Sequence, residues 1–412
     1  MIAARGLGVA ARGLGVAALV LAARTAHADS PTLTPIIVLD GDYRLDPHAD
    51  AEGFDGFDLA RAQVGARGDL SSTVSAAALV DFAAGETVEI IDAWVDWHPR
   101  RSISFAAGYL RSPLFPSARD ELVERLPVPE LGTLVHALWP GRTIGVSARW
   151  RPDELPLDVM VKLGNGSQAL SGNDTNKPAG DARVDYVWGR TTARVDYGTL
   201  RDVATRADDW GVRVGVGAHI DNVDDRPGAT GYTAGGYQFY RPAVVSGNRY
   251  LAEAHALFQY DALQLLVEGG YTKEGRSATT SGDPTKPRTE LTAVESYGVA
   301  GELSWMVTGD HRVAGAWPLD PALHQHWGGA VELAARLERA TFGRCASATT
   351  ECTTSVERLD ADIASGAVRW WIRPEIAASV AGYYYKWDAD PYDQPGVRST
   401  WLALARLTLS IR

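Results

Sequence analysis

Residues 59–67 read Leu59-Ala60-Arg61-Ala62-Gln63-Val64-Gly65-Ala66-Arg67, with an apolar side chain at every even position. Arg61, Gln63 and Arg67 occupy odd positions of the same run. Successive side chains of an extended strand point to opposite faces of a sheet. This spacing therefore predicts a β-strand with one apolar face and one polar face.

The same alternation recurs along the chain, and it places Asp81, Asp92 and Asp96 on the polar faces of the next two segments. Because a bacterial single-chain barrel has an even number of strands, we expect one segment to be wrong and predict sixteen strands. We expect the error at 35–45 or at the boundaries around 249–306. Seventeen segments share the pattern: 35–45, 57–67, 73–83, 87–98, 102–110, 142–150, 156–164, 182–190, 192–200, 210–220, 249–259, 262–272, 295–306, 328–339, 360–371, 375–387 and 399–411.

The connections between these segments favour a membrane barrel over a soluble β-sandwich, which also alternates. Short turns on one rim and long polar loops on the other are typical of an outer-membrane barrel. The fold prediction is therefore an all-β, transmembrane antiparallel β-barrel. Short connections lie at 69–71, 84–86 and 99–101, and long ones at 46–56, 165–181, 221–248, 273–291 and 343–356.

The N-terminus resembles a signal peptide. Arg5 and Arg12 precede an apolar stretch at 14–23, which is followed by Ala26-His27-Ala28. A small-residue motif of this kind is typical of a cleavage site, so we expect cleavage after Ala28 and a mature barrel at 29–412. After residue 28 no run of about 18 apolar residues occurs, so we expect no transmembrane helix.

One connection, residues 111–141, interrupts the series of strands and carries apolar residues of its own, among them Leu114, Phe115 and Leu126. A long loop with apolar side chains has to bury them. In a barrel the available place is the lumen, so we predict a constriction loop that folds inward. The alternative is an ordinary exposed loop.

The formal net charge of −11 argues against nucleic-acid binding, which requires a basic face. Cys345 and Cys352 are the only cysteines. An exported, oxidising setting favours a disulfide between them over a metal site made of two thiols.

Several runs resemble the phosphate-selective porin O/P family in order and spacing, most closely over residues 54–150. Two later runs, 296–310 and 365–387, are a looser match, and about 165–290 is not recognisable. The runs that carry the resemblance are 59–68, 80–83, 91–97, 107–114 and 140–146.

The resemblance implies a porin that passes small solutes, including anions such as phosphate, without a cofactor, and that is usually a homotrimer. By position, Arg61, Arg111, Arg142 and Arg149 are the candidates for a lumenal anion path, since basic side chains select anions. Pairing with Asp81, Asp92 and Asp96 to brace the wall is the alternative role. Lysine is scarce and the net charge is negative, so the resemblance supports the family's fold for this chain more strongly than its phosphate selectivity.

The partners implied are outer-membrane lipids and lipopolysaccharide, and the barrel-assembly machinery during biogenesis. Outer-membrane proteins commonly end in an aromatic residue that this machinery reads. Here the last strand alternates but ends Ile411-Arg412.

Other functions stay open as alternatives: a barrel enzyme, a plugged structural or adhesive barrel, and a soluble exported β-protein. A catalytic barrel would need Ser, His and a polar orienter together, and neither His98 nor His219 has an evident serine partner. His324 and His326 lack a third metal ligand. The acidic run 221–225 offers oxygen ligands for calcium without an EF-hand order, so no metal site is predicted.

Overall fold

The computed structural model describes residues 31–46, 55–83, 88–120, 125–152, 154–166, 177–189, 210–279, 288–308, 329–345, 356–373, 375–391 and 396–411. Sixteen strands in this part of the chain form a closed antiparallel barrel, which confirms the predicted fold and strand count. The strands are β1 (Thr32–Leu45), β2 (Gly56–Ser71), β3 (Val74–Asp81), β4 (Glu89–Arg100), β5 (Ile103–Arg111), β6 (Arg142–Trp150), β7 (Leu157–Asn165), β8 (Pro178–Gly189), β9 (Gly211–Pro227), β10 (Val244–Tyr260), β11 (Leu263–Thr279), β12 (Arg288–Met306), β13 (Ala330–Cys345), β14 (Val356–Arg373), β15 (Ile376–Trp387) and β16 (Ser399–Ile411).

Residues 35–45, one of the two places where we expected the error, form a strand. β1 contains residues 35–45 and pairs with β2 on one side and with β16 on the other, which closes the barrel. Closure leaves no strand edge whose backbone groups lack a partner, a requirement in lipid. The additional segment at 192–200 lies outside the described residues, as does the predicted leader. The barrel closes without it, because β8 and β9 pair directly from Gly180–Ile220 to Gly189–Gly211.

Several strands are longer than predicted. β9 continues to Pro227, although its apolar alternation ends near residue 220, and β12 begins at Arg288 rather than at residue 295. In these extensions the outward positions carry polar residues such as Asn222 and Asp224, while inward residues such as Val223 and Val294 stay buried. Strand pairing continues there although the apolar outward face has ended. Apolar spacing therefore located the membrane-spanning part of each strand and missed its extension.

The two rims are less uneven than predicted. Tight turns join β2 to β3 and β10 to β11 on one rim, but the β8–β9 and β12–β13 connections on that rim cover 190–210 and 307–329. The short connection at 84–86 joins β3 to β4 on the opposite rim. Strand order decides the rim of each connection, and length does not. We call the rim that carries the β5–β6 and β9–β10 connections the long-loop rim.

The outer surface of the barrel is apolar between two bands of aromatic side chains, as in proteins that cross a bilayer as strands. None of the described helices is long and apolar enough to cross a membrane. The band near the tight turns contains Trp97, Phe105, Trp150, Trp188, Tyr260, Trp305 and Trp370, all more than a third exposed. The band near the long-loop rim contains Tyr43, Phe57, Tyr250, Tyr271, Tyr297, Tyr384 and Trp401.

Candidate functional site

The described residues of the connection between β5 and β6, 112–120 and 125–141, fold into the lumen as predicted, and we call them the inward loop. It carries two short helices, α1 (Pro116–Arg119) and α2 (Thr133–Leu138). Leu114, Phe115 and Leu134 are fully buried, so the loop has buried its apolar side chains inside the barrel.

The first half of the inward loop is fixed to β8 and β9. Arg183 donates to the Pro113 carbonyl at 2.8 Å and to the Asp120 carboxylate at 3.0 Å, and Arg213 donates to Asp120 at 2.8 Å. Burial opposes the ionisation of Asp120, but the guanidinium groups of Arg183, Arg119 and Arg213 outweigh it. They hold the pKa of this carboxyl well below its usual range, so the anchor is ionic.

The far end of the inward loop reaches the seam where β1 and β16 close the barrel. Arg406 donates to both carboxylate oxygens of Asp42 at 2.7 and 2.8 Å, and it also donates to Glu130 of the loop. Arg61 lies 3.3 Å from Glu130 and donates to Asp40. Burial opposes the ionisation of Glu130, but Arg406 and Arg61 outweigh it and lower the pKa of its carboxyl. The Glu130 carboxylate thus connects the inward loop to β2 and β16, and the same two arginines bind carboxylates of β1.

A second segment, residues 228–243 between β9 and β10, also enters the lumen. Phe239 and Tyr240 are fully buried, and the Tyr240 ring stacks on Phe342 with centroids 5.2 Å apart. The Ala234 amide donates to the Tyr385 hydroxyl at 2.7 Å. The segment and the inward loop together pack against the inward face of β13–β16.

The inward face of β13–β16, which we call the packed wall, is largely apolar. Its strands therefore carry apolar side chains on both faces, toward lipid and toward the lumen. These inward side chains form one core with the inward loop: Phe342, Leu359, Ile363, Tyr383, Tyr385, Trp387, Leu402 and Leu404.

The inward face of β4–β6 around Asp92, which we call the open wall, keeps access to solvent. Arg111 and Arg142 each reach the Asp92 carboxylate at 3.3 Å. The side chains of Arg142, Asp92 and Arg111 remain 18%, 14% and 10% exposed, whereas that of Arg406 at the seam is 0% exposed. The Arg142 guanidinium also lies 5.6 Å from the centre of the Trp139 ring.

The remaining residues singled out in the sequence have other partners. Arg149 donates to Asp158 at 2.8 Å. Asp81 accepts from Gln63 at 2.9 Å, and Asp96 lies 3.5 Å from His98. The structure thus brings Arg111 and Arg142 to Asp92, and Arg149 lines a small cavity with Arg111 and Asp96. Arg61 lies apart from them, beside Glu130.

Cys345 ends β13, and Cys352 lies outside the described residues, so their disulfide stays a prediction. His324 and His326 lie outside the described residues as well.

The acidic run 221–225, in the last part of β9, does not form a calcium site in the described part of the chain. Arg288 occupies its centre and contacts Asp224 at 2.5 Å and Asp225 at 3.1 Å. No group of three or more His, Cys, Asp or Glu side chains among the described residues is arranged to hold a metal ion.

A serine, a histidine and an aspartate do meet in the lumen. The Asp181 carboxylate accepts from Ser112 Oγ and contacts His219 Nδ1, each at 2.9 Å. In a hydrolytic triad the serine hydroxyl bonds to the imidazole, which bonds in turn to the carboxylate. Here the serine bonds to the carboxylate, so the described arrangement does not activate Ser112 as a nucleophile.

Solved structures of outer-membrane proteins share this architecture. A loop-deletion mutant of OmpT, an outer membrane protein of Vibrio cholerae, superposes with a TM-score of 0.53 and 11% identity, covering 92% of this chain and 100% of that one. OmpF of Salmonella typhi, in complex with daunomycin, gives 0.52 and 11%, covering 92% and 97%. OprB of Pseudomonas putida gives 0.52 and 11%, covering 92% and 94%.

No family model matches the chain, and no characterised protein matches it in sequence. At 11% identity the structural likeness establishes the fold alone. The resemblance to the phosphate-selective porin O/P family therefore stays a prediction.

Sequence reasoning missed the second lumenal segment, which we predicted as part of a long polar loop at 221–248. The sequence did contain a signal, the run Tyr237-Gln238-Phe239-Tyr240. Three aromatic side chains within four residues are unusual in a solvated loop and indicate burial. It also missed Glu130 and Arg406, whose pairing across 276 residues leaves no local pattern.

Proposed function

We propose that this chain is an outer-membrane porin through which small hydrophilic solutes diffuse passively. The observation that carries the proposal is the inverted distribution of polarity. Large apolar side chains such as Leu337 and Val380 face outward and are more than 60% exposed, while charged residues such as Arg183 and Glu332 face the lumen. A soluble barrel would have the opposite arrangement, whereas this one suits lipid outside and polar groups inside.

The passage proposed for solutes follows the open wall. The packed wall is filled by protein, so the inward loop confines solutes to the side where Asp92, Arg111 and Arg142 retain solvent access. Two guanidinium groups directed at one carboxylate favour anions there, because they compensate for the hydration that an anion loses on entry. Passive anion preference, with phosphate as one solute, is the finer part of the proposal.

Planar-bilayer recording tests the channel and its selectivity separately. Refolded protein should give discrete conductance steps, and the reversal potential in a salt gradient should show anion preference. The double variant Arg111→Ala/Arg142→Ala should move that potential toward cations. Arg339→Ala, on the outer surface, is the matched control and should leave it unchanged. Absence of conductance from folded protein would contradict the porin, and an unchanged potential in the double variant would contradict the anion path.

A second candidate is a plugged structural barrel, and the apolar core between the inward loop and the packed wall favours it. In that case folded protein inserts into bilayers without conductance. Lipid hydrolysis by the purified protein in detergent would instead indicate a barrel enzyme, in which Ser112, Asp181 and His219 are the residues to substitute first.

Location and assembly are part of the proposal. We infer an outer-membrane location, contacts with lipid and lipopolysaccharide through the aromatic bands, and a homotrimer. Fractionation with heat-modifiable gel migration tests the location, and crosslinking in native membranes tests the trimer. Mass determination of the mature N-terminus tests cleavage after Ala28.

A further inference from the structure

A cavity of about 320 Å³ lies at the long-loop rim, beside the C-terminal end of the inward loop. We call it the vestibule. His136, Trp139, Thr143 and Tyr232 line one side, and residues of β7–β11 line the other. A cavity of this size accommodates a small organic solute. It lies on the long-loop side of the barrel, where the inward loop returns to β6.

The fixed charges of the vestibule balance each other. Lys162 lies 3.5 Å from Asp181, and Arg249 lies 2.7 Å from Glu274. His136 is exposed to the cavity, and desolvation by the surrounding protein lowers the pKa of its imidazole, so the neutral form prevails at neutral pH. The side chains that are charged throughout the physiological range are three cations and three carboxylates: Lys162, Arg226, Arg249, Asp181, Asp221 and Glu274. An anion or a cation would meet groups of its own sign here, so a neutral solute fits better.

Two polar atoms of the vestibule have no hydrogen-bond partner among the described residues. They are the indole nitrogen of Trp139 and the hydroxyl of Thr143. Thr143 is only 6% exposed. Leaving a buried donor or acceptor unpaired is unfavourable by about 1–3 kcal/mol, so such groups indicate an absent partner. Each of these atoms is suited to a hydroxyl group of a ligand.

Aromatic rings complete the lining. The rings of His136 and Tyr232 meet edge to face with centroids 5.5 Å apart, and Trp139 presents a third ring. Flat apolar rings next to hydrogen-bonding groups suit a ligand with C–H faces and a rim of hydroxyls. Carboxylates such as Asp181 and Glu274 accept from hydroxyl donors as readily as the cations donate to hydroxyl oxygens.

We propose that the vestibule is a binding site for a neutral polyhydroxylated solute of the size of a mono- or disaccharide. This deepens the proposed function, because it names a solute class that the channel captures before the narrow passage. Ion preference is assigned to Arg111, Arg142 and Asp92, and sugar binding to Trp139 and Thr143. The two sites are neighbours, since Arg142 lies 5.6 Å from the centre of the Trp139 ring.

Ion-current block by maltose tests the proposal. Maltose added to a bilayer that contains the conducting channel should interrupt the current in a saturable way, while sodium phosphate at the same concentration should not block. Channels that conduct but are not blocked by maltose would overturn the vestibule site and leave the porin intact. Absence of conductance would contradict the porin itself, and equilibrium binding of maltose to the folded protein would then test the site directly.

Two conservative variants locate the site. Trp139→Phe removes the indole N–H and keeps a ring, and Thr143→Val removes the hydroxyl at the same shape. Each should weaken block by maltose about five-fold, the loss expected for one neutral hydrogen bond. Trp401→Phe, on the lipid-facing surface, should leave block unchanged. Block that is equal in all three variants would overturn the assignment.

Discussion

The open wall and the packed wall are built from strands of the same alternating kind, but their inward side chains meet different surroundings. On the open wall, the Arg142 side chain is 18% exposed and contacts the Asp92 carboxylate of the same wall. On the packed wall, Tyr383 and Trp387 are 2% exposed and contact other parts of the chain. An inward position is therefore an aqueous position on one side of the lumen and a core position on the other.

The difference gives a lumenal arginine two distinct roles. Arg406 is fully buried and contacts two carboxylates, of which Asp42 is fully buried as well. Its removal leaves a buried carboxylate with Arg44 alone of the two arginines that contact it. Arg111 and Arg142 are partly exposed, so water can replace a lost partner, and in the proposed passage their charge acts on solutes. Substitutions on the packed wall should therefore alter stability, and those on the open wall should alter selectivity.

Arg406→Met should have the largest effect on stability. The substitution keeps the apolar stem but leaves Asp42 and Glu130 without their shared guanidinium. Loss of one partner of a buried pair reduces the free energy of unfolding by about 3–5 kcal/mol. Arg44 beside Asp42 and Arg61 beside Glu130 should keep the loss at the lower end of that range. Urea unfolding in detergent, followed by tryptophan fluorescence, measures it. Arg339→Met is the control, because this arginine is 74% exposed and lies 3.8 Å from Asp362. Equal losses in the two variants would contradict the anchor.

Tyr383→Phe should have an intermediate effect. The buried hydroxyl donates to the Pro129 carbonyl of the inward loop. Its removal leaves a buried carbonyl without that donor and should lower the free energy of unfolding by about 1 kcal/mol. The adjacent Tyr384→Phe is a close control, since its side chain faces outward and is 48% exposed. If both tyrosines behave alike in the same urea titration, the packed wall does not hold the loop as described.

Asp92→Asn should change stability by less than about 1 kcal/mol, because partly exposed ion pairs contribute little. Its effect on permeation should be clear. Removing the carboxylate takes one negative charge from beside Arg111 and Arg142, so the reversal potential should move further toward anions. Asp362→Asn on the outer surface is the control. A shift toward cations in Asp92→Asn would contradict the assignment of the passage.

Mild acid should have the smallest effect. Arg406 and Arg61 hold the folded-state pKa of Glu130 below that of an unfolded glutamate, about 4.3. The stability from this anchor is fully present above the unfolded pKa and is lost only as the pH falls through the lower, folded pKa. The polymer-exclusion size of the channel should therefore stay constant from neutral pH to about pH 5.

Glu130→Gln is the companion variant for the acid experiment, and it should enlarge the exclusion size already at neutral pH. An exclusion size that grows in mild acid for the unsubstituted protein, but not for this variant, would show that Glu130 titrates in that range.

The barrel was predictable because alternation is a local property of each strand. Residues 59–67 show it without reference to any other segment, and the inward position of Arg61 follows from it. The inward loop was predictable for a related reason: apolar residues such as Leu114 and Phe115 in a long connection require burial. The extension of β12 to Arg288 was not predictable, because it lies beyond the region where lipid imposes alternation.

The partners of the candidate site were beyond local reasoning. Asp92 accepts from Arg111 and Arg142, which lie 19 and 50 residues away in the chain, and nothing between them records the pairing. The inward face of β16 carries Leu402 and Leu404 in its first half and Arg406, Thr408 and Ser410 in its second half, and alternation alone does not tell which of them meets a core. Both kinds of residue share it, because the lumen changes from core to polar wall along a single strand.

The seam between β1 and β16 also constrains the order in which this chain folds. Glu130 is synthesised 276 residues before Arg406, the side chain that holds it together with Asp42. The inward loop therefore cannot make all of its contacts with the barrel wall until β16 has been synthesised. Closing so long a loop is entropically slow, and such non-local pairings delay folding. Closure of the wall and docking of the loop thus become one late event.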